Sequence, residues 1–378
     1  MSLPPLRIGN FVSRLPIVQG GMGVGISLSG LASAVAEQGG IGVIAGAMVG
    51  IGEPDVRTNS TGANVRALRR EIRAARERTR GLIGVNIMVA LVNYPDLVRT
   101  AIEEDVDFIF AGAGLALDLP GYRQPGSHTC LVPIVSSGRA ASLLCRKWQS
   151  RFGCVPDAFV VEGPEAGGHL GFKPEQITNP EFALEKLVVE VIDAVQGHRS
   201  VTGEAPPVIA AGGVYTGADI FRFLRMGAAG VQMGTRFVAT DECDADPAFK
   251  QAYVDAKPSD LTVIQSPVGL PGRALDNRFL RDVRNGDKKP FRCPYHCIRT
   301  CDGETSPYCI ALALANARKG RLKNGFAFAG SNAWRVKKIV PVRELMEELV
   351  AGYEIAAREA EGATQEATAY TAASSSWA

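Results

Sequence analysis

The sequence lacks a long apolar run, because no stretch of about 18 residues is hydrophobic enough to span a bilayer. Its first ten residues contain two prolines and no apolar core of the kind that a secretory signal peptide needs. Cysteine is also sparse, with 8 in 378 residues, far below the density of disulfide-stabilised secreted domains. We therefore expect a cytoplasmic protein with reduced thiols and no membrane partner.

An excess of charge of either sign is absent as well. The chain has 41 basic and 39 acidic side chains, which leaves a formal net charge of +2. Such a balance produces no long-range field that would attract nucleic acid. Hydrophobic residues make up 46% of the chain and charged residues 21%, as is usual for a folded globular protein. We expect a small-molecule substrate and no nucleic-acid partner.

Glycine, by contrast, is abundant: there are 42, about 11% of the chain, where ~7% is usual. Many of them follow short apolar runs that alternate with helical patterns. The eight runs are residues 16–19, 41–44, 82–89, 106–111, 131–135, 158–161, 207–211 and 230–233. Near-continuous apolar strands are typical of a parallel sheet that is covered on both faces. The sequence therefore predicts an α/β fold, a (β/α)8 TIM barrel, with its function in the loops at the carboxyl ends of the strands.

A doubly wound parallel sheet is the alternative fold. It places a glycine-rich turn after the first strand and an acidic residue at the end of the second. The turn Gly23-Val24-Gly25 supplies the glycines, but the second run ends at Ile44 without a carboxylate. The pattern therefore favours the barrel.

The pattern changes after residue 240. Segment 241–325 contains an acidic stretch, a loop rich in proline and glycine, and four cysteines, and it interrupts the strand–helix alternation. We interpret it as a smaller α/β domain inserted near the C-terminus of a barrel that residues 1–240 and 326–360 form. The tail, residues 361–378, is rich in alanine, threonine and serine. Such a composition predicts disorder.

Two glycine phrases follow the last two predicted strands. Gly212 and Gly213 follow the seventh strand, and Gly234 and Thr235 follow the eighth. In barrels these loops commonly bind phosphate through backbone N–H groups, and the absence of a Cβ lets the backbone approach the oxygens. The hydroxyl of Thr235 adds a donor. The sequence therefore predicts a phosphate site here.

Side-chain amides and glycines lie at the ends of the first and third predicted strands. Gln19, Gly20, Gly21 and Met22 end the first run, and Asn86 lies in the third. An amide offers a donor and an acceptor together, which suits the edge of a planar heterocycle such as a flavin. An asparagine at a strand end is also a common turn former, so this signal is not specific by itself.

One histidine stands after a predicted strand. The phrase Glu165-Ala166-Gly167-Gly168-His169 follows the sixth strand, and the chain has only four histidines. Imidazole is the side chain best suited to proton transfer near neutral pH. We expect His169 to be the catalytic base, ahead of Glu165, because an imidazole titrates nearer the working pH. A histidine bonded to a backbone carbonyl in a purely structural role is the alternative.

Together these motifs resemble the nitronate monooxygenase family, formerly called 2-nitropropane dioxygenases, which is close to the flavin-dependent enoyl-acyl-carrier-protein reductases. The resemblance rests on the phrases that begin at Pro16, Glu165, Ala211 and Gln232, together with Asn86. It implies an FMN-binding TIM barrel with an inserted second domain. The expected activity is oxidation of alkyl nitronates or nitroalkanes with O2. The alternatives are NAD(P)H-dependent reduction of an enoyl thioester and, third, a non-catalytic flavin-binding module.

The resemblance also implies roles for individual residues. It assigns the catalytic base to His169. The residues that it and the strand-end pattern place at the cofactor are Gln19, Gly20, Gly21, Met22, Asn86, Gly167, Gly168, Gly212, Gly213, Gln232, Gly234 and Thr235. The phrase Gly330-Ser331-Asn332 departs from the family, where a Gly-Gln pair lies near the cofactor. This departure leaves the choice of substrate open.

Four of the cysteines lie in the inserted segment: Cys293, Cys297, Cys301 and Cys309, with His296 among them. The three, three and seven residues between them match neither the paired C-x2-C zinc motifs nor the ferredoxin motifs. We therefore predict structural thiols and no bound metal, with a zinc or iron–sulfur site as the alternative.

Overall fold

The chain begins with a short antiparallel hairpin and continues into a closed parallel barrel. The structure, a computed structural model, describes residues 2–200, 203–287 and 293–375, with side chains described up to residue 363. The hairpin strands are β1 (Leu6–Ile8) and β2 (Phe11–Ser13). The barrel strands are β3 (Ile17–Gln19), β4 (Ile41–Ala45), β5 (Leu82–Met88), β6 (Phe108–Gly112), β7 (Cys130–Val135), β8 (Phe159–Glu162), β10 (Val208–Ala211) and β11 (Gly230–Met233). All eight apolar runs are barrel strands, so the predicted TIM barrel is confirmed.

Helices follow the barrel strands and recur in the inserted segment and near the C-terminus. They are α1 (Ser29–Glu37), α2 (Ser60–Arg78), α3 (Tyr94–Glu103), α4 (Gly138–Phe152), α5 (Leu184–Val195), α6 (Gly217–Arg225), α7 (Thr235–Val238), α8 (Pro247–Val254), α9 (Arg278–Arg284), α10 (Ile310–Arg318) and α11 (Val342–Ser375). Local sequence sets their ends, as α4 illustrates. The Ser137 hydroxyl accepts a hydrogen bond from the N–H of Ala140, and Gly153 ends the helix in the left-handed region, with φ +69. Among the described residues, no helix is both long and apolar enough to cross a membrane.

The barrel separates two hydrophobic cores. Side chains alternate along a strand, so in β3 Val18 belongs to the inner core and Ile17 to the outer one. Leu6 and Ile8 of the hairpin also pack into the inner core. A Cβ at Gly230, the first residue of β11, would lie 3.1 Å from Leu6. The hairpin therefore closes the amino-terminal end of the barrel and leaves the opposite end as the mouth.

A second, three-stranded antiparallel sheet joins the inserted segment to the barrel. Its strands are β12 (Leu261–Gln265), β13 (Pro271–Leu275) and β9 (Gly168–His169), in that order. Because β9 belongs to the loop after β8, the inserted segment is paired directly with the loop that carries the predicted catalytic base.

The chain returns to the outside of the barrel at its end. Helix α11 packs against α6 and α1. It runs to Ser375 and so covers most of residues 361–378, which the composition predicts to be disordered. Alanine is the commonest residue in that tail and the strongest helix former, which explains why a helix extends there.

The contact between α6 and α11 depends on a glycine. A Cβ at Gly217 would lie 2.2 Å from the backbone N of Tyr353 and 2.3 Å from the carbonyl O of Leu349. We expect Gly217→Ala to lower the free energy of unfolding in urea by about 1–3 kcal/mol, the usual range for overpacking. Gly197→Ala is the control, because a Cβ there would meet nothing within 4 Å. Equal stability of the two variants would contradict this packing.

Candidate active site

Polar side chains end three strands of the barrel at its mouth. Asn86 in β5, Glu162 in β8 and Gln232 in β11 are each partly exposed, next to fully buried neighbours. Glu162 follows the inward-facing Val160 by two residues, so its side chain points to the same side of the sheet. Asn86 and Gln232 have the same inward parity in their strands. The barrel therefore presents two amides and one carboxyl group at its open end.

The turn after β3 packs against two of these side chains. A Cβ at Gly20 would lie 3.3 Å from Cγ of Gln232, and one at Gly21 would lie 2.3 Å from Cβ of Asn86. A larger side chain at Gly21 would displace the Asn86 amide. The structure therefore brings the predicted Gly20-Gly21 turn, Asn86 and Gln232 together.

Gln19 has a different position from the one expected. It has the parity of Ile17, on the outer face of β3, and it is fully buried. Its Nε2 donates to the carbonyl of Gly20 at 2.6 Å, and its Oε1 accepts from the N–H of Val43 at 2.9 Å. A shift of one residue reverses the face on which a strand residue lies. The Gln19 amide therefore joins β3 to β4, which corrects the prediction of a ring contact.

The loops after β8 and β10 meet at glycines in the left-handed region. Gly212 and Gly213 have φ values of +93 and +91, which side chains rarely adopt. A Cβ at Gly213 would also lie 2.5 Å from Oε2 of Glu165. Nδ2 of Asn332 donates to the Gly213 carbonyl at 2.7 Å. Backbone conformation and packing therefore both require glycine at these two positions of the predicted phosphate loop.

The loop after β11 is the less crowded of the two glycine loops. Gly234 precedes α7 without a side-chain cap, and within 4 Å a Cβ there would meet only Met22, with Sδ at 3.7 Å. Oγ1 of Thr235 accepts a hydrogen bond from the N–H of Gly330 at 3.2 Å. Space beside uncapped backbone N–H groups is what a phosphate oxygen needs.

The return segment Gly330–Asn332 lies among these loops. Oγ of Ser331 donates to Oε2 of Glu165 at 2.9 Å, and its N–H donates to the Glu165 carbonyl at 3.0 Å. A Cβ at Gly167 would lie 2.6 Å from the N of Gly330. Ser331 and Asn332 are site residues that the motif analysis missed. Their only signal was the departure of this phrase from the family pattern.

His169 lies on the short strand that pairs with the inserted segment. It is opposite Gly272 in the β9–β13 ladder. Its Nε2 is 2.8 Å from Oγ of the buried Ser266, and its ring meets the Phe328 ring edge-on, with centroids 4.9 Å apart. The imidazole is therefore held on two sides by groups that are distant in the sequence.

The loop that carries His169 crosses the edge of the mouth. A Cβ at Gly171, two residues further on, would lie 2.8 Å from Oγ of Ser136, which follows β7. Gly168 has φ +88 and open space where a Cβ would be. The backbone next to His169 therefore has no neighbouring atom at the place where a Cβ of residue 168 would lie.

Burial sets the protonation state of this imidazole. It lowers the pKa of His169 from 6.5 to about 4, because a charged ring loses more hydration than a neutral one. The ring is therefore neutral at pH 7. The expectation that it titrates near the working pH is corrected for the same reason, since the loop and the inserted segment partly bury the ring.

Glu162 is a titratable residue at the mouth that the sequence analysis missed. Burial raises the pKa of its carboxyl group from 4.5 to about 7. No charged neighbour or hydrogen bond offsets that shift within the part of the chain that the structure describes. A carboxyl group with such a pKa can hold or release a proton at neutral pH. Its signal in the sequence was its position directly after the sixth apolar run.

These features define a barrel enzyme whose site lies at the carboxyl ends of its strands. The sequence profile described as nitronate monooxygenase matches residues 6–352 of the chain. The chain therefore belongs to the nitronate monooxygenase family.

Individual relatives agree with this family. The chain is 31% identical over 275 residues to the (3aS,4S,5R,7aS)-5-hydroxy-7a-methyl-1-oxo-octahydro-1H-indene-4-carboxyl-CoA dehydrogenase of Mycobacterium tuberculosis, covering 72% of this chain and 66% of that protein. It is 34% identical over 171 residues to a probable nitronate monooxygenase of Staphylococcus saprophyticus, covering 44% of this chain and 41% of that protein. The matches therefore span less than two thirds of these relatives' own length.

A solved structure is similar over nearly the whole chain. FabK from Thermotoga maritima superposes with a TM-score of 0.70 at 29% identity, covering 94% of this chain and 96% of that one. This extent shows that the similarity includes the inserted segment and is not limited to the barrel.

The two shifted groups predict opposite effects of pH on stability. The pKa of His169 is about 4 in the folded protein and 6.5 without burial, so the unfolded chain binds more protons between these values. Its contribution to the free energy of unfolding therefore falls as the pH drops from 6.5 to 4. For Glu162 the folded protein binds more protons between pH 4.5 and 7, so its contribution falls as the pH rises through that range.

Urea unfolding from pH 4 to 8 measures both effects as differences from the unaltered protein. We expect His169→Gln to remove the first slope and Glu162→Gln to remove the second. The exposed residues His128 and Glu175 supply the controls, His128→Gln and Glu175→Gln, which should leave both slopes in place. A His169→Gln difference that does not change with pH would contradict the lowered pKa.

Proposed function

We propose that the protein is an FMN-dependent oxidoreductase that oxidises alkyl nitronates with O2, and neutral nitroalkanes after removal of a proton. The observation that carries this proposal is the neutral imidazole of His169, held at the barrel mouth by Ser266. Family membership supports the class of reaction. The strand-end motifs support the cofactor.

The glycine loops after β10 and β11 support the binding of a single phosphate group. The open space lies beside Gly234, where a Cβ would meet only Met22 among the described residues within 4 Å, whereas a Cβ at Gly213 would meet Glu165. Phosphate binding by such N–H groups requires the oxygens to come closer than a Cβ would allow. The sequence has no second, dinucleotide-type fingerprint. These observations support FMN in preference to FAD.

The mouth offers suitable partners for the flavin ring. Asn86 and Gln232 carry amides that can donate and accept hydrogen bonds, and the absence of a Cβ at Gly20 and Gly21 lets these two side chains pack directly against the turn after β3. Bound there, the flavin would accept electrons from the nitronate and pass them to O2. The carboxyl of Glu162, with its pKa near 7, would serve as a neutral donor in the same mouth.

His169 is the residue that we assign to proton removal. In the tautomer with its proton on Nε2, the ring donates to Oγ of Ser266, and Nδ1 presents its lone pair to the substrate. Nδ1 then accepts the α-proton of the nitroalkane. A base with a pKa near 4 is weak, but the nitronate anion that forms beside the ring raises that pKa. The proton therefore stays on His169 while the anion is bound.

Reduction of an enoyl thioester with NAD(P)H is the second candidate function. It is favoured by the Mycobacterium tuberculosis relative, whose name specifies a carboxyl-CoA, and by the full-length similarity to FabK. Anaerobic mixing with NADH separates the two candidates. Fast bleaching of the flavin supports the reductase, whereas no bleaching together with nitronate-dependent O2 uptake supports the monooxygenase. A non-catalytic flavin-binding module would give neither result.

The cofactor can be identified directly. We expect the purified protein to be yellow and to release FMN, not FAD, on denaturation, as measured by chromatography of the released flavin. Gly213→Val should weaken FMN binding, because its side chain would enter the phosphate loop. Gly126→Val is the control, since Gly126 has a similar φ of +84 but no neighbour within 4 Å of a Cβ. Recovery of FAD, or a colourless protein that refuses FMN, would refute the assignment.

Substitution of His169 separates proton removal from cofactor binding. A nitroalkane must lose a proton before oxidation, whereas a nitronate is already an anion. We expect His169→Asn to retain FMN and to lose nitroalkane activity by about 10²–10⁴-fold, the usual contribution of a general base. Activity with the preformed nitronate should fall much less.

The exposed His128 provides the matched control for this substitution, since His128→Asn should change neither activity. Equal losses on both substrates with FMN retained would assign His169 to substrate binding. Loss of FMN from the variant would make it structural, and undiminished nitroalkane turnover would remove it from the mechanism.

A further inference from the structure

Four cysteines that the proposed function does not use line one cleft. Cys293, Cys297, Cys301 and Cys309 all border a cleft of about 890 Å³ in the inserted segment. Cys297 packs against the same small hydrophobic cluster that contains Cys309, and a Cβ at Gly303, two residues after Cys301, would lie 2.7 Å from Cβ of Cys293. The fold therefore gathers thiols that the sequence spreads over segment 293–309.

Backbone hydrogen bonds fix the centre of this segment to the barrel. The N–H of Val92 donates to the carbonyl of Cys297 at 3.1 Å, and the N–H of Arg299 donates to the carbonyl of Ala90 at 3.0 Å. Val92 and Ala90 belong to the loop after β5. Cys297 and Cys301 are thus carried by a short stretch of chain that is paired with the barrel rim.

The other two thiols each accept a backbone N–H group. Sγ of Cys293 accepts from the N–H of His296 at 3.4 Å, and Sγ of Cys309 accepts from the N–H of Leu312 at 3.5 Å. Cys309 is also the residue that caps the N-terminus of α10. N–H···S hydrogen bonds of this kind tune the sulfur ligands of metal clusters.

The arrangement of the described side chains argues against a single metal ion. Tetrahedral zinc holds four sulfurs at about 2.3 Å, which brings the ligands close to one another. Among the residues that the structure describes, no three His, Cys, Asp or Glu side chains are arranged to hold one metal ion. An iron–sulfur cluster has its own iron and sulfide atoms between the ligands and therefore suits thiols around a wider space.

We propose that Cys293, Cys297, Cys301 and Cys309 bind a [4Fe–4S] cluster through four thiolates. Thiolates are soft ligands, and iron–sulfur clusters are among the few metal centres that they favour. Each thiol loses its proton to the solvent when it binds iron. The irregular spacing in the sequence is no obstacle, because Cys309 reaches the cleft from a different element. This proposal replaces the prediction of purely structural thiols that the spacing alone suggested.

The test is the composition of the whole protein, purified without oxygen from cells supplied with iron. We expect about four iron atoms and four acid-labile sulfides per chain. Reduction by dithionite should give an electron paramagnetic resonance signal of a reduced cluster in addition to the flavin. Cys297→Ser and Cys309→Ser should each lose most of the iron, at least about tenfold, while they keep the flavin.

Two further variants keep the test decisive. Cys145→Ser replaces a buried thiol of α4, far from the cleft in the chain and not among its lining residues, and should keep full iron content. Cys301→Ser changes a partly exposed residue. It replaces Cys297→Ser in the test if circular dichroism shows that the Cys297 variant does not fold.

Three results would overturn the proposal. One zinc per chain in place of iron would exclude the cluster. A protein that contains no metal and takes up none on anaerobic incubation with ferrous iron and sulfide would exclude the site. Iron retained by the variants of Cys297, Cys301 and Cys309 would exclude these thiols as its ligands.

Discussion

The pairing of β9 with β13 is the constraint on which the candidate active site depends. β9 has only two residues, Gly168–His169, and without a partner it would be part of an unpaired loop. Pairing with the inserted segment places His169 against Ser266 and Phe328, which partly shield the imidazole from water. The same pairing therefore fixes both the position of the ring and its low pKa. The barrel supplies the strand ends, but the inserted segment completes the site.

Burial at the mouth shifts two titratable groups in opposite directions. It lowers the pKa of His169 and raises that of Glu162, because in each case the charged form loses its hydration. At neutral pH the mouth therefore holds an unprotonated base and a carboxyl group near its midpoint. Such a pair suits chemistry in which a substrate changes between a neutral and an anionic form, since neither group adds a permanent charge. Oxidation of a nitroalkane and reduction of the double bond of an enoyl thioester both meet that description.

The sequence predicted the barrel because each strand is a short apolar run that a buried parallel sheet requires. It predicted Asn86, Gly213 and Thr235 at one edge because the carboxyl ends of the strands of one barrel share that edge. It misplaced Gln19, since a strand of three residues gives too little alternation to fix which face each residue occupies. Contacts such as Ser266 with His169 join residues 97 positions apart and leave no local pattern. Glu162 was overlooked because its shifted pKa arises from burial, which composition does not reveal.

The cysteine segment and His169 are connected through one turn of the inserted segment. Oγ1 of Thr300, between Cys297 and Cys301, donates to the carbonyl of Val268 at 3.0 Å. The N–H of Val268 in turn donates to Oγ of Ser266 at 3.4 Å, and Ser266 bonds to His169. A continuous chain of hydrogen bonds therefore runs from the thiol cleft to the imidazole. An ordered cysteine segment thus supports the turn that orients His169. A segment outside the barrel can therefore affect the chemistry at the mouth of the barrel.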